Sequence, residues 1–248
     1  MCKIEVFCFD CPTIAKPRNV TSKRITTPLQ NKNIKLEKMI STKELNLPDR
    51  QKLQTICKAI SVLDAILEQE WEYRYYSYNN KWADNEEFCE MRNGSGDQML
   101  ILFRQDGCVI NGFAHEYQQQ EKEKLTKDLP SIFEEFIFGE PVKTIGTTFC
   151  VWTTENKDWR TGQIESYEDN SDEMLSIFDG NPQTYVDWAT EYFDESFIES
   201  GIPLETVTEI YNGKTLTKEM VLTIVEELED WKQLEDDLNE IGYPYNFN

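Results

Sequence analysis

The chain has 248 residues, with 25 Lys and Arg against 46 Asp and Glu, a formal net charge of −21 and seven cysteines. That length allows one large domain or two small ones, with enough core to fold without staples. The charge sets the chain against nucleic-acid phosphates and anionic membrane, and an odd number of irregularly spaced cysteines argues against a disulfide framework and for a reducing compartment, so the cytoplasm is expected.

Residues 1–48 differ in character from the rest of the chain. The first 50 residues hold 10 Lys and Arg against 5 Asp and Glu, whereas residues 51–248 hold 15 against 41. With Pro12, Pro17 and Pro28 spread through it, the segment 1–48 reads as a basic, loosely docked arm, and 49–248 as a single acidic domain. The Ile4–Phe9 stretch is too short and too polar for a signal-peptide core, and no apolar run approaches the ~18 residues of a membrane span. Cys8 and Cys11 form a lone C-x-x-C with no second pair, which reads as ordinary reduced cysteines rather than a zinc site.

Asp49 caps a predicted helix over about 50–70, with Leu53, Ile56, Cys57, Ile60, Leu63 and Leu67 as its apolar stripe. The aromatic run Trp71–Tyr78 comes next and reads as a strand, with Trp71, Tyr73 and Tyr75 on one face. Strands over Glu87–Arg92, Met99–Phe103 and Cys108–Phe113 complete an antiparallel β-meander over about 71–114. Asn93–Asp97 and Asp106–Gly107 are its turns. Asp128 and Pro130 open a helix that Gly139 and Pro141 stop. Thr147–Thr153 is ambiguous between strand and short helix, and 164–182 reads as an acidic loop. Further helices are expected over about 183–197 and, as one long helix or a pair capped by Thr217, over 217–240. The fold class is therefore α+β, a meander covered by several helices.

The strings W-E-Y-R-Y-Y-S-Y-N at 71–79, M-R-N-G-S-G-D at 91–97, G-F-A-H-E at 112–116 and E-I-G-Y-P at 240–244 resemble a family of uncharacterised bacterial proteins. The resemblance covers roughly residues 50–248 and carries no catalytic residues with it. Proteins of this general kind are similar to immunity proteins of bacterial toxin systems, which implies binding to a basic toxin domain.

The residues give little sign of catalysis. His115 is the only histidine. His115-Glu116-Tyr117-Gln118-Gln119 begins like the zinc-protease helix but lacks its second histidine, and the chain has no nucleophile elbow and no phosphate-binding glycine loop. A Cys–His pair of Cys108 or Cys150 with His115 is arithmetically available but has no local support. No metal and no cofactor are expected. The leading reading is an acidic module that binds a basic protein, with Glu226, Glu227, Glu229, Glu235, Asp236 and Asp237 as the docking residues. The alternative is an enzyme of unknown class with a pocket built from Tyr73, Tyr75, Asp97, His115 and Glu116. A third arrangement lays the basic arm of one chain on the acidic body of another.

Overall fold

The computed structural model describes residues 39–155, 158–193 and 196–248. The Cys8/Cys11 pair and most of the expected basic arm lie outside the described residues. The last ten residues of that arm belong to the body: Ile40, Ser41, Thr42 and Leu47 are buried. Thr42 Oγ1 donates to the buried Asp169 at 2.6 Å, and the Trp159 indole donates to the Pro48 carbonyl at 2.7 Å. The body therefore begins earlier than the composition shift at Asp49 suggests.

The fold is α+β. Helix α1 (Arg50–Leu67) starts where expected, with the Asp49 carboxylate accepting from the Lys52 amide at 2.9 Å. Its predicted stripe is buried, but the second half is buried nearly all round, Ser61 and Asp64 included. A helix enclosed on every side runs through a core rather than over it.

Six strands succeed one another in a sequential antiparallel meander: β1 (Tyr76–Ala83), β2 (Glu86–Arg92), β3 (Gln98–Arg104), β4 (Gly107–Phe113), β5 (Phe149–Thr154) and β6 (Arg160–Thr161). The glycine-rich turn sets Arg92 opposite Gln98, and the Asp106–Gly107 turn sets Arg104 opposite Gly107. The ambiguous Thr147–Thr153 stretch resolves as strand from Phe149 onward and extends the sheet beyond the four strands expected. The first strand is a correction. Trp71–Tyr73 is a short 3-10 turn, and the strand begins only at Tyr76, so Trp71, Tyr73 and Tyr75 do not share a strand face: Tyr76 and Tyr78 are buried, Tyr75 packs partly buried against the core, and Trp71 and Tyr73 are exposed.

Short helices α2 (Lys122–Leu125), α3 (Glu134–Phe138) and α4 (Val142–Ile145) precede β5. After the sheet come α5 (Ser171–Met174), α6 (Pro182–Tyr192), α7 (Leu204–Tyr211), β7 (Leu216–Thr217), α8 (Lys218–Leu222), α9 (Trp231–Ile241) and β8 (Tyr245–Asn246). β7 and β8 pair in parallel. The predicted 217–240 segment is thus two helices, the first capped by Thr217 and the second by Asp230. The helix expected over 183–197 ends at Tyr192. The segment 164–182 is not merely a loop: Met174, Leu175, Ile177 and Phe178 are core residues.

Period-two alternation divides the sheet between two cores. Cys89, Met91, Met99, Ile101, Phe103, Ile110 and Val151 meet α1 and α6–α9 on one face. Phe88, Leu100, Leu102, Val109, Cys150 and Trp152 meet Phe133, Phe136, Ile137 and Val142 on the other. This is why β3 reads as a continuous apolar run: both its faces are covered. No helix among the described residues is long and apolar enough to cross a membrane.

Candidate functional site

The candidate site is a surface where exposed aromatics and exposed acids are brought together. It starts at the end of α1, where Glu68 leaves the helix in extended geometry. Arg74 then folds the next residues back. Its Nε donates to the Glu68 carbonyl at 2.7 Å, and its Nη2 donates to the Gln69 carbonyl at 2.8 Å and to Asp237 at 2.6 Å. The turn this creates lifts Trp71 (52% exposed) and Tyr73 (60%) into solvent. Arg92 braces Trp71, with its guanidinium 3.9 Å from the ring centre and its Nη2 donating to the Trp71 carbonyl at 3.0 Å.

Gln69 ties this turn to the start of α9. Its Nε2 donates to the Asp230 carbonyl at 2.7 Å, and the Asp230 amide donates back to its Oε1 at 2.9 Å. Asp230 in turn caps α9, accepting from the Lys232 and Gln233 amides. Glu226, Glu227 and Glu229, all exposed, stand just ahead of that cap. The exposed Glu70 and Glu72 flank Trp71. The backbone of Asp230, where the acidic 226–229 segment ends, is joined to the residue that opens the aromatic turn. The acids of the turn itself act on Tyr73, whose phenol is held above its ordinary value first by Glu72 and then by Glu70.

The structure divides the acidic residues named from sequence. Glu226, Glu227 and Glu229 are exposed and precede Asp230, whose backbone Gln69 ties to the aromatic turn. Glu235 is half-buried, and Asp236 is exposed and paired with Lys232. Asp237 is a correction: it is buried, held by Arg74 and by the Gln233 side-chain amide at 3.1 Å, and offers nothing to a partner. Sequence reasoning missed Gln69, Glu70 and Glu72. The alternation Glu68-x-Glu70-x-Glu72 around Trp71 was a visible signal, but the Gln69–Asp230 tie spans 161 positions and left no local trace.

The residues expected around His115 are only partly gathered. Asp97 Oδ1 accepts the His115 amide at 2.8 Å and faces its Nδ1 at 2.7 Å, while Asp97 Oδ2 accepts from Asn93 at 2.9 Å. Such an arrangement fixes an imidazole, and it also locks the β2–β3 turn onto the end of β4. The Glu116 carboxylate is 80% exposed and 4.0 Å from Nε2. Tyr75 lies in a ring cluster with Trp188 and Tyr192, where burial above all, with Glu173 and Asp97 contributing, pushes its phenol up. Tyr73 stands apart on the aromatic turn. Two clefts among the described residues lie away from His115. One of about 270 Å³ opens beside the start of α1, and one of about 20 Å³ adjoins Arg74 and Asp237.

Among the described residues the thiols offer no exposed nucleophile. Cys57, Cys89, Cys108 and Cys150 are buried and free. Burial pushes Cys57 and Cys108 up and takes Cys150 to about 12, so these three remain protonated at neutral pH. Among the described residues no cluster of three or more His, Cys, Asp or Glu is placed to hold a metal ion. Comparison with protein-family models, curated proteins and solved structures returned no match.

Proposed function

We propose that this chain is a cytoplasmic protein-binding module that captures a basic protein on the face formed by Trp71, Tyr73, Glu70, Glu72 and the Glu226–Glu229 loop. In its most specific form it is a bacterial immunity-type inhibitor that covers a basic toxin domain. That form rests on the motif resemblance at 71–79, 91–97, 112–116 and 240–244. The mechanism is occlusion without turnover. The acidic border speeds encounter with a cationic surface, and the two aromatics supply contact area once the surfaces meet.

The observation that supports this reading is the reciprocal Gln69–Asp230 hydrogen bonding, which ties the turn bearing the exposed aromatics to the end of the acidic 226–229 segment. Interface anchors of that kind carry a large share of binding energy. The enzyme alternative draws on the Asp97–His115 pair alone, and that pair already serves to close a turn.

The test is comparative capture from host extract at low salt. The wild-type chain and a Glu226→Lys/Glu227→Lys/Glu229→Lys variant are immobilised side by side. One basic protein held stoichiometrically by the wild type, released by salt and lost from the variant supports the reading. The next assay is then whether the wild type neutralises that protein's activity. Equal retention by both chains, or nothing retained selectively, removes it.

A further inference from the structure

The cleft of about 270 Å³ at the start of α1 is a built site with unmatched polar groups. Its opening comes from β1. The β1–β2 ladder runs Asn79 opposite Phe88 and resumes at Ala83 opposite Glu86, so β1 carries two more residues than its partner over that interval. Bulges of this kind bend a strand away from its neighbour and re-aim its side chains. Asn80 is drawn against Gly242, where an added Cβ would stand 2.0 Å from its Nδ2. Phe103 forms part of the wall, with Arg50 and Gln54 across from it on α1.

The charges around this cleft are unevenly used. Arg104 is neutralised by Glu86 at 2.5 Å and Asp106 at 3.2 Å. Glu87 engages Lys58 at 2.7 Å and the Tyr78 hydroxyl at 2.8 Å, both through Oε2. Arg50 differs: its Nε is sealed from solvent with no hydrogen-bond partner, and its guanidinium makes no ion pair among the described residues. Arg50 as a whole is half-buried and lines the cleft, so an anionic group bound there would supply the counter-charge it lacks. The acceptors are in surplus as well. Asn80 Oδ1 is buried without a partner, Glu86 engages Arg104 only through Oε1, and the Oε1 of Glu87 takes no part in its two contacts.

A ligand that matches the groups open to the cleft must bring an oxyanion to Arg50 and N–H donors to the free carboxylate oxygens of Glu86 and Glu87. A bare dianion fits poorly, because the carboxylates of Glu86 and Glu87 and a net charge of −21 oppose it. A cleft of this size is at the small end for ligand sites. We propose that the cleft between α1 and the bulged end of the β1–β2 hairpin binds a small α-amino-acid-like zwitterion, its carboxylate on Arg50 and its ammonium toward Glu86 and Glu87. The site lies at the opposite end of α1 from the aromatic turn, about 27 Å away along a helix of 18 residues. It therefore stands or falls independently of partner capture.

The test is titration calorimetry of the full chain with each standard α-amino acid at millimolar concentration. Any that binds is then compared with the amine lacking its carboxylate and the acid lacking its amine. At least one amino acid is expected to bind, with both truncated analogues weaker by about tenfold or more. Arg50→Met should lose the carboxylate's share of affinity, and Glu87→Gln the ammonium's. Because a replacement on α1 can disturb folding, Arg50→Lys serves as the second variant and is expected to retain part of the affinity. Overturning results are no heat from any amino acid with the wild type, undiminished affinity in Arg50→Met, or equal binding of the amine without its carboxylate.

Discussion

The Arg74 guanidinium and the Asp237 carboxylate meet at 2.6 Å with 4% and 8% of their side chains exposed, joining the turn after α1 to α9 across 163 positions of sequence. Arg74 also holds the Glu68 and Gln69 carbonyls, so the pair fixes the geometry that presents Trp71 and Tyr73. Removing one member of a buried pair strands the other charge, which costs about 3–5 kcal/mol. Asp237→Asn and Arg74→Leu should each lower urea stability by that order. The double variant should cost less than the sum, since neither charge is then left alone. Additive losses would mean that the two side chains do not support one another.

Asp64 predicts a pH dependence. It is fully buried, accepts the Tyr76 amide and the Tyr185 hydroxyl at 2.7 Å each, and is pushed up to about 7 by burial, against the opposing pull of those hydrogen bonds and of Arg74. An unfolded aspartate titrates near ~3.9. Raised in the folded state, the group contributes stability that is fully present below about pH 4 and is lost as pH rises toward about 7. Urea unfolding of the wild type should weaken across that window. Asp64→Asn should flatten the profile there, and an unchanged slope would assign the dependence to other carboxyls.

Gly112 sits opposite Phe149, and a Cβ at that position would stand 2.1 Å from the ring. Gly112→Ala should cost about 1–3 kcal/mol by overfilling the core. Phe149→Leu in the same chain should recover part of that loss. Thermal melts of the single and double variants decide it, and no recovery would place the strain elsewhere.

Asp97 holds His115 and Asn93 together. Asp97→Ala should destabilise the chain by about 1–3 kcal/mol through the donors it leaves unmatched. Partner capture should be unaffected, because the residue lies outside the aromatic turn. Loss of capture with stability intact would move the functional centre to His115.

Much of the frame was legible in sequence because its determinants are local. Asp49 and the stripe from Leu53 to Leu67 defined α1, and Asn93–Asp97 with Asp106–Gly107 set the register of β2, β3 and β4. Reading failed where distant groups override local preference. The aromatic run at 71–75 has strand propensity, but Arg74 bonds back to Glu68 and Gln69 and makes a turn of it. The segment 164–182 is acidic overall, yet Met174, Leu175, Ile177 and Phe178 within it are buried in the core. Helix α7 went unseen between Pro203 and the Asn212–Gly213 turn, although Val207 and Ile210 are fully buried. The proposed docking residues were half legible: the acidity of 226–229 was plain, but the link from that segment to the turn of Trp71 runs through Gln69 and Asp230, 161 positions apart. Asp237 looked like the acids beside it and differs only because Arg74 reaches it.

The docking claim is tested most directly by the association rate of the captured basic partner as a function of salt. Charges that steer encounter act on the on-rate and are screened by ions. The wild type should associate fast at low salt and slow steeply as salt rises. A variant with Glu226, Glu227 and Glu229 replaced by Ala should associate more slowly, with a shallower salt dependence. An on-rate and slope unchanged by those replacements would contradict the claim that this face receives the partner.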